Sequence, residues 1–510
     1  MNKFYITTPI YYINDVPHIG HCYTTIAADI VCRYKRLCGF EARFVTGTDE
    51  HGAKMEAAAK AHGESAQEFV DKMSQTFSQA WRILNISYTD FVRTTDPRHI
   101  ASVNEIVNIL YKKDLIYKSK YEGLYCVGCE KYLSEKDLDE NGNCPYHKTK
   151  PVVQSEENYF FRLSNFTQEI LNKILNGEIK IEPEERKNEI VGKIKLGLDD
   201  ISVSRAALEW GIPLPFDKSQ TLYVWIDALI SYLTGIGYSD DKELFNAFWP
   251  CDIHLMAKDI LWFHAVIWPA LLMGADLKLP KTIYSHGFFT IEQNKMSKSL
   301  GNVISPDDLV NKFGVDATRY LTVTLIPFGP DGDISWQGLI SKYNSDLANN
   351  LGNLEARVLR LAEQNFDSVL AQTEQDLSLA QKTADLLNAS FFGEMESLHL
   401  HKAAESLQKA ITLINQQIEK DAPWNLAKTD KAALAKCLWS YLQAADIIAI
   451  CLIAFMPETS QKIWSLNGAN GSINEAAQKY FKDKKIVAQE FSPAGAQLSK
   501  SQILFPRIKA

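Results

Sequence analysis

"FYITTPIYYINDVPHIGHCYTTIAADIVCRYKRLCGFEARFVTGTDEHG", residues 4–52, decides how the rest of the chain is read. Its first nine residues are rich in β-branched and aromatic types, the composition of a strand. "DVPHIGHCYTTIAADIVCRYKRLCG" then opens a helix: Ile26, Ile30, Val31, Tyr34 and Leu37 recur at helical spacing, and Gly39 can close it. "EARFVTGTDEHG" is a second strand that ends in polar residues. Strand, helix, strand is the repeating unit of a parallel sheet covered by helices.

Outward from this unit the texture changes twice. Residues from about 117 to 215 are irregular, and the α/β pattern returns at "TLYVWIDALISYL", "DIHLMAKDILWFHAVIWPALL" and "TIYSHGFFTI". From about 335 the chain reads as nearly all helical. There Leu339, Tyr343, Leu347, Leu351, Leu354, Val358 and Leu361 step by 4, 4, 4, 3, 4 and 3 along one apolar face. A chain of 510 residues exceeds what one core supports. The texture gives an α/β domain in two parts, interrupted by an insert at about 117–215, and an all-α domain from about 335.

Composition sets limits on function. The chain is 46% hydrophobic with a net charge of −8, which argues against nonspecific coating of nucleic acid while leaving room for a local basic surface. Residues 1–20 show no charged-then-apolar signal pattern. "AADIIAICLIAF" at 444–455 is short and contains Asp446, so it reads as a buried helix and no membrane span is expected. Most cysteines are scattered singly, as in a reduced cytoplasmic protein.

Two stretches carry phosphate chemistry. "HIGH" at 18–21 stands where the first helix begins, and a helix N-terminus favours anions. His18 and His21 share one face there, and Gly20 leaves room for a ligand. Taken alone, the two histidines read equally well as surface residues near a turn. The second stretch, "IYSHGFFTIEQNKMSKSLGNVISPDDL" at 283–309, places Lys295 and Lys298 in a polar segment after a strand. Ligands of open parallel sheets sit beyond the carboxyl ends of the strands, so both stretches can face one triphosphate. The lysines then meet charge that develops during phosphoryl chemistry. Neither common glycine-rich nucleotide loop occurs in a strand-to-helix context.

The early "HIGH" and late "KMSKS" resemble those of the class I aminoacyl-tRNA synthetases. The segments "TTPIYYINDVPHIGH", "TGTDEHG", "YVWIDAL", "KDILWFHAVIWPALL", "HGFFTIEQNKMSKSLGN" and "DAPWNLAK" are similar to those of its methionyl branch, over essentially the whole chain. The resemblance implies a split Rossmann-like parallel sheet in a catalytic domain of two halves (1–116 and 216–290), an inserted connective domain (117–215), a stem-contact region (291–335) and an all-α helical anticodon-binding domain (336–510). It implies that ATP and methionine form an adenylate, and that the acyl group then passes to a methionine-accepting tRNA, elongator or initiator. Magnesium is expected with the ATP. His18, His21, Lys295 and Lys298 take the catalytic positions, and His18, Gly20, His21, Arg205 and Lys298 those that bind ATP. The methionine pocket maps onto Pro9, Ile10, Tyr12, Asp49, Trp225, Phe263 and His264, with Asp259 beside it organising the adenylate. Asp49 can pair with the substrate ammonium, and the aromatics can enclose a thioether. Pro9 and Ile10 stand where some relatives have Ala and Leu. Trp225 or Phe263 alone would read more simply as core packing.

"CVGC" at 126–129 and "CPYH" at 144–147 give Cys-x2-Cys, fourteen residues, then Cys-x2-His. Cys126, Cys129, Cys144 and His147 at that spacing suit a closed tetrahedral zinc site, with a disulfide as the alternative in an oxidising compartment. The intervening polar stretch can loop back through Asn141, Gly142 and Asn143. By resemblance the metal holds the insert near the tRNA acceptor end.

Asn349, Asn353 and Arg357 are spaced by four on the helix that carries the leucine face, and Trp424 stands in "DAPWNLAK". By resemblance these four read the CAU anticodon; alone they are a solvated helix face and a loop tryptophan. Two rival readings remain: a small-molecule adenylyltransferase, which would not need the helical domain, and a non-catalytic tRNA-binding relative, which would not need the phosphate residues. The chain ends without the module that dimerises some relatives, so a monomer is expected.

Overall fold

The computed structural model describes residues 2–126, 131–133, 138–146, 148–206, 208–291, 294–295, 303–370 and 373–509. Cys129, His147 and Lys298 lie outside the described residues, as does the side chain of Lys295. The central sheet uses β1 (Lys3–Tyr12), β2 (Glu41–Asp49), β3 (Asp90–Arg93), β7 (Lys180–Glu182), β12 (Ile253–Ala257) and β13 (Thr282–His286), numbered along the chain with those below. They lie in the order β3-β2-β1-β12-β13-β7, and every neighbouring pair is parallel. The chain steps outward from β1 to β3 and later returns beside β1 as β12. That reversal creates a crevice at the carboxyl ends of β1 and β12.

Local chemistry opens the crevice. Pro9 has no N–H to donate, so a proline inside a central strand must fall where pairing lapses. The β1–β2 register shifts between Thr7 and Ile10, and β1 pairs with β12 only at Ile6 and Thr7. Gly47 keeps β2 close to its neighbours, since a Cβ there would stand 1.9 Å from the Val92 carbonyl oxygen. The helix Ile19–Leu37 covers one face, burying Ile26, Ile30, Val31, Tyr34 and Leu37 as their spacing predicts. The helices Pro97–Lys112, Val224–Thr234 and Trp268–Gly274 share a second core on the other side.

The stretch 117–215 is not one body. β4 (Ile116–Cys126), β5 (Lys131–Leu133), β6 (Val152–Phe161) and β8 (Ile201–Ser202) form an antiparallel sheet of their own. β9 (Ser204–Arg205), β10 (Pro213–Leu214) and β11 (Asp217–Leu222) form a second one. Between them β7 joins the edge of the central sheet, and Ile170, Ile174, Ile190 and Ile194 pack into the catalytic core. β14 (Phe289–Ile291), β15 (Asn294–Lys295) and β16 (Gly332–Ile334) make a small sheet that leads into the helices.

The helical part opens with Trp336–Lys342, Tyr343–Gly352 and Asn353–Phe366, three segments end to end of which the middle one is a π-helix. The apolar rhythm accounts for it: three successive steps of four outrun the 3.6-residue turn, and a wider helix keeps Leu339, Tyr343, Leu347 and Leu351 on one buried face. Lys431–Leu452 is the core helix of this domain and exceeds the short run expected at 444–455. By length and composition it could cross a membrane, but 89% of its apolar window is buried among the other helices.

One buried guanidinium ties the regions together. Arg319, on the helix Val315–Thr324, meets Asp29 of the first helix at 2.7 Å. It also donates to the carbonyls of Leu84, Asn85, Ala454 and Phe455. Both charged side chains are fully buried. Burial alone would raise the Asp29 carboxyl, but Arg319, Arg33 and Ser87 bring it down to about 2.

Candidate functional site

The head of the helix Ile19–Leu37 is built by the two histidines. His18 is the N-cap, with extended backbone, and its Nδ1 accepts the Gly20 N–H at 3.1 Å. The His18 N–H in turn donates to His21 Nδ1 at 3.2 Å, closing a reciprocal capping box. The rings stack 3.9 Å apart. Burial lowers both pKa values, so both rings are neutral at physiological pH. With each Nδ1 accepting, each proton sits on Nε2, and the pair presents two Nε2–H donors.

The lysine segment is anchored to this helix on both flanks. The Ile19 N–H donates to the Ile304 carbonyl at 2.9 Å, and Ile304 is buried. On the other flank the Tyr23 ring lies 4.3 Å from that of Phe289 in β14, and Thr24 Oγ1 is 2.7 Å from His286 Nε2. Lys295 ends β15, paired with Thr290.

The crevice gathers most of the other expected residues. Tyr12 and Asp49 are register partners at the ends of β1 and β2, and Asp49 is buried. The Tyr12 hydroxyl donates to the His51 carbonyl. Trp225 and Phe263 stack face to face, 3.9 Å apart and tilted by 9°, and pack with half-buried Tyr12 against the same core. Pro9 and Ile10 sit at the β1 bulge, and Asp259 is exposed just beyond β12. His264 is buried, which takes its pKa down to about 4. Its Nδ1 donates to the Ile260 carbonyl, and its Nε2 accepts from the Tyr232 hydroxyl at 2.7 Å. Both nitrogens are thus engaged by protein, and His264 orients Tyr232. Arg205, 8% exposed, ends β9.

Sequence reasoning missed three groups here. Tyr232 lies two turns after Trp225 on one helix, but its partner His264 is on another element. Asp227 is buried between two histidines, with His51 Nδ1 and His99 Nε2 each 2.7 Å from one of its oxygens. Burial would raise that carboxyl, but the histidines hold it below the ordinary range. Glu50 takes a two-point contact from Arg93 at 2.7 and 2.9 Å. These buried pairs fix the strand end that carries Asp49.

In the helical part Asn349 and Asn353 are exposed. With Ala348, Gly352 and Phe505 they border an open cavity of about 360 Å³. One turn further, Arg357 pairs with Glu419 at 2.7 Å and lies 5.5 Å from the centre of the Trp424 ring. Trp424 is 40% exposed, well short of a core residue. The four residues expected to act together therefore share one surface.

Comparison with known proteins matches the model for tRNA synthetases class I (M) to residues 4–150 and 140–359, and that for the anticodon binding domain of methionyl tRNA ligase to residues 368–510. The methionine–tRNA ligase of Streptomyces coelicolor is 40% identical, over 99% of this chain and 97% of its own. The chain belongs to the methionyl-tRNA synthetase family. The Rickettsia conorii methionine–tRNA ligase is 39% identical with both chains fully covered. Mycobacterium tuberculosis methionyl-tRNA synthetase in complex with methionyl-adenylate superposes with a TM-score of 0.93 at 35% identity, covering 99% of this chain and all of that one. The free form of the M. tuberculosis enzyme gives 0.85 at 32% identity, with 100% of this chain and 99% of that one covered. Within this family the crevice at β1 and β12 and the helical face at 349–424 are the two sites to assign.

Proposed function

We propose that this chain activates L-methionine with ATP, held as its magnesium complex, and transfers the methionyl group to elongator and initiator methionine tRNAs. The observation that carries the reading is the histidine cap. Two neutral rings with fixed Nε2–H donors stand at the head of a helix to which both flanks of the lysine segment are anchored. The cap has already used the Gly20 N–H, so His18 and His21 themselves supply the donors for phosphate oxygens. Asp49 holds the substrate ammonium. Tyr12, Trp225 and Phe263 enclose the thioether, and Pro9 and Ile10 form the pocket floor. Asp259 and Arg205 orient the adenylate and ATP, while Lys295 and Lys298 stabilise the leaving pyrophosphate. The residues that do this come from 1–116, 216–290 and 291–335, with Arg205 from the insert at 117–215, and the anticodon contacts from 336–510.

A small-molecule adenylyltransferase would leave the helical domain without a task. The support for an RNA role is exposed Trp424 with half-buried Arg357 against it, one turn from Asn353, a stacking plane with donors next to it. Pyrophosphate exchange screened across twenty amino acids tests the reading. Exchange with methionine, and methionine charging of CAU tRNA, are expected; exchange with another amino acid, or none, rejects it.

The insert fits a structural zinc. Cys126 and Cys144, 1% and 0% exposed, come from separate turns into one small cluster with Leu133. Asp139 accepts the Asn141 and Asn143 N–H groups, and the Lys148 N–H donates back to the Cys144 carbonyl, a folded turn of the kind metal knuckles use. Cys129 and His147 would complete four ligands, leaving no open position for chemistry. Bound there, zinc would cross-link the insert. Metal analysis should find about one zinc per chain; stoichiometric iron, or no metal in protein purified without chelator, rejects the assignment.

A further inference from the structure

Arg205 is clamped between two tyrosines. Its guanidinium carbon lies 4.3 Å from the centre of the Tyr223 ring and 5.6 Å from that of Tyr125. Its Nη1 donates to Ser202 Oγ at 3.1 Å and to the Ser204 carbonyl at 2.8 Å. The two rings belong to different parts of the molecule. Tyr223 caps the helix Val224–Thr234, which carries Trp225, Asp227 and Tyr232. Tyr125 stands near the end of β4, in the insert, one residue before Cys126.

The strand under Arg205 spans the same divide. At Ile201 and Ser202 it pairs with β6 of the insert, and at Ser204 and Arg205 it pairs with β11. Arg205 therefore stands where one sheet hands over to the next. Its two Nη1 contacts are local, within three residues. The two rings bear on the guanidinium from outside the strand. A cation within about 6 Å of a ring face is held by the ring quadrupole, more strongly where water is excluded, as here at 8% exposure.

We infer that Tyr125 is a positioning residue for Arg205, through which the insert sets the geometry of the ATP site. This rests on the proposed role of Arg205 toward ATP. The contact uses the ring face and not the hydroxyl, so phenylalanine can replace it and an aliphatic side chain cannot.

The experiment is pyrophosphate exchange at varied ATP for Tyr125→Ala, Tyr125→Leu, Tyr125→Phe, Arg205→Ala and the double variant Tyr125→Ala/Arg205→Ala, with ATP binding by calorimetry. Tyr125→Ala and Tyr125→Leu should raise KM for ATP by about 2- to 30-fold, the span of a single cation–π contact. KM for methionine should stay unchanged. Tyr125→Phe should stay within about two-fold of the parent, and Tyr125→Ala should add nothing further in the Arg205→Ala background. The inference is overturned if Tyr125→Leu keeps the parent KM for ATP, if Tyr125→Phe fails as badly as Tyr125→Ala, or if the two losses simply add. If Arg205→Ala itself leaves exchange and ATP binding intact, the ATP role of Arg205 is what fails, and the inference falls with it.

Discussion

Glutamine at position 21 would keep a hydrogen-bond donor near the Nε2 site of the histidine, whereas asparagine would carry one near Nδ1. With Nδ1 of His21 already accepting from the His18 N–H, the Nε2 proton is the one left for substrate. His21→Asn should therefore lose about 10²–10³ in activation rate, as for a missing transition-state donor, and His21→Gln should retain clearly more. Equal activity of the two variants in single-turnover adenylate formation would show that the ring orientation is misassigned. Lys298→Ala should slow activation by a similar factor, about 10²–10³, with methionine affinity unchanged. The histidine pair was legible in the sequence because it opens a helix after a strand. Its tautomers were not, since they depend on a cap that forms only in three dimensions. The contact of Asp227 with His51 and His99 was hidden for the same reason: its members are 128 and 176 residues apart along the chain.

The helix from Trp336 to Phe366 carries two opposed demands. Outward it presents Asn349, Asn353 and Arg357, and inward it buries Glu355. Neither Glu355 oxygen has a hydrogen-bond partner among the described residues, and burial with Asp446 nearby takes its pKa up to about 8. Asp446 itself rises to about 7, through burial. A carboxyl whose folded pKa is raised costs nothing below its unfolded value and progressively destabilises the fold as pH rises toward the folded one. Glu355→Gln should thus leave stability near pH 4 unchanged and increase it above pH 8 by on the order of 2–5 kcal/mol; denaturant melts at the two pH values check this. On the outer face, Trp424→Ala should cost about 1–3 kcal/mol in charging of CAU tRNA, the range for one base stack, while pyrophosphate exchange stays normal. Normal charging would return Trp424 to a packing role. The spacing of the leucines announced this helix, but not that its middle turns widen to π. The strand β7 was not announced: it is three residues long, and its partner β13 lies about a hundred residues further on.

For the molecule as a whole the decisive interaction is the Arg319 junction. Arg319→Met should destabilise the protein by about 3–5 kcal/mol, the usual loss when one member of a buried ion pair is removed. The linked titration has a definite sign. Asp29, held at about 2, contributes stability that is present above the ordinary carboxylate range and lost as pH falls from about 4 toward 2. The Arg319→Met variant should lose part of that acid dependence, the Arg33 and Ser87 contacts remaining, which pH-dependent thermal melts would show. The sequence offered no hint of this junction. Arg319 stands in an unremarkable helical run, four of its five partners are backbone carbonyls, and all five lie more than a hundred residues away along the chain.

The same arginine limits how the parts of such a protein can be exchanged. A graft cut near residue 335 carries Arg319 on the same side as Asp29, Leu84 and Asn85, so the head arrives with its charge already met and asks the helical domain only for two carbonyls, those of Ala454 and Phe455. A cut anywhere between residues 85 and 319 parts the cation from its acid, and such a chimera should fold only when both parents carry the pair, or it would seal a naked charge inside the graft.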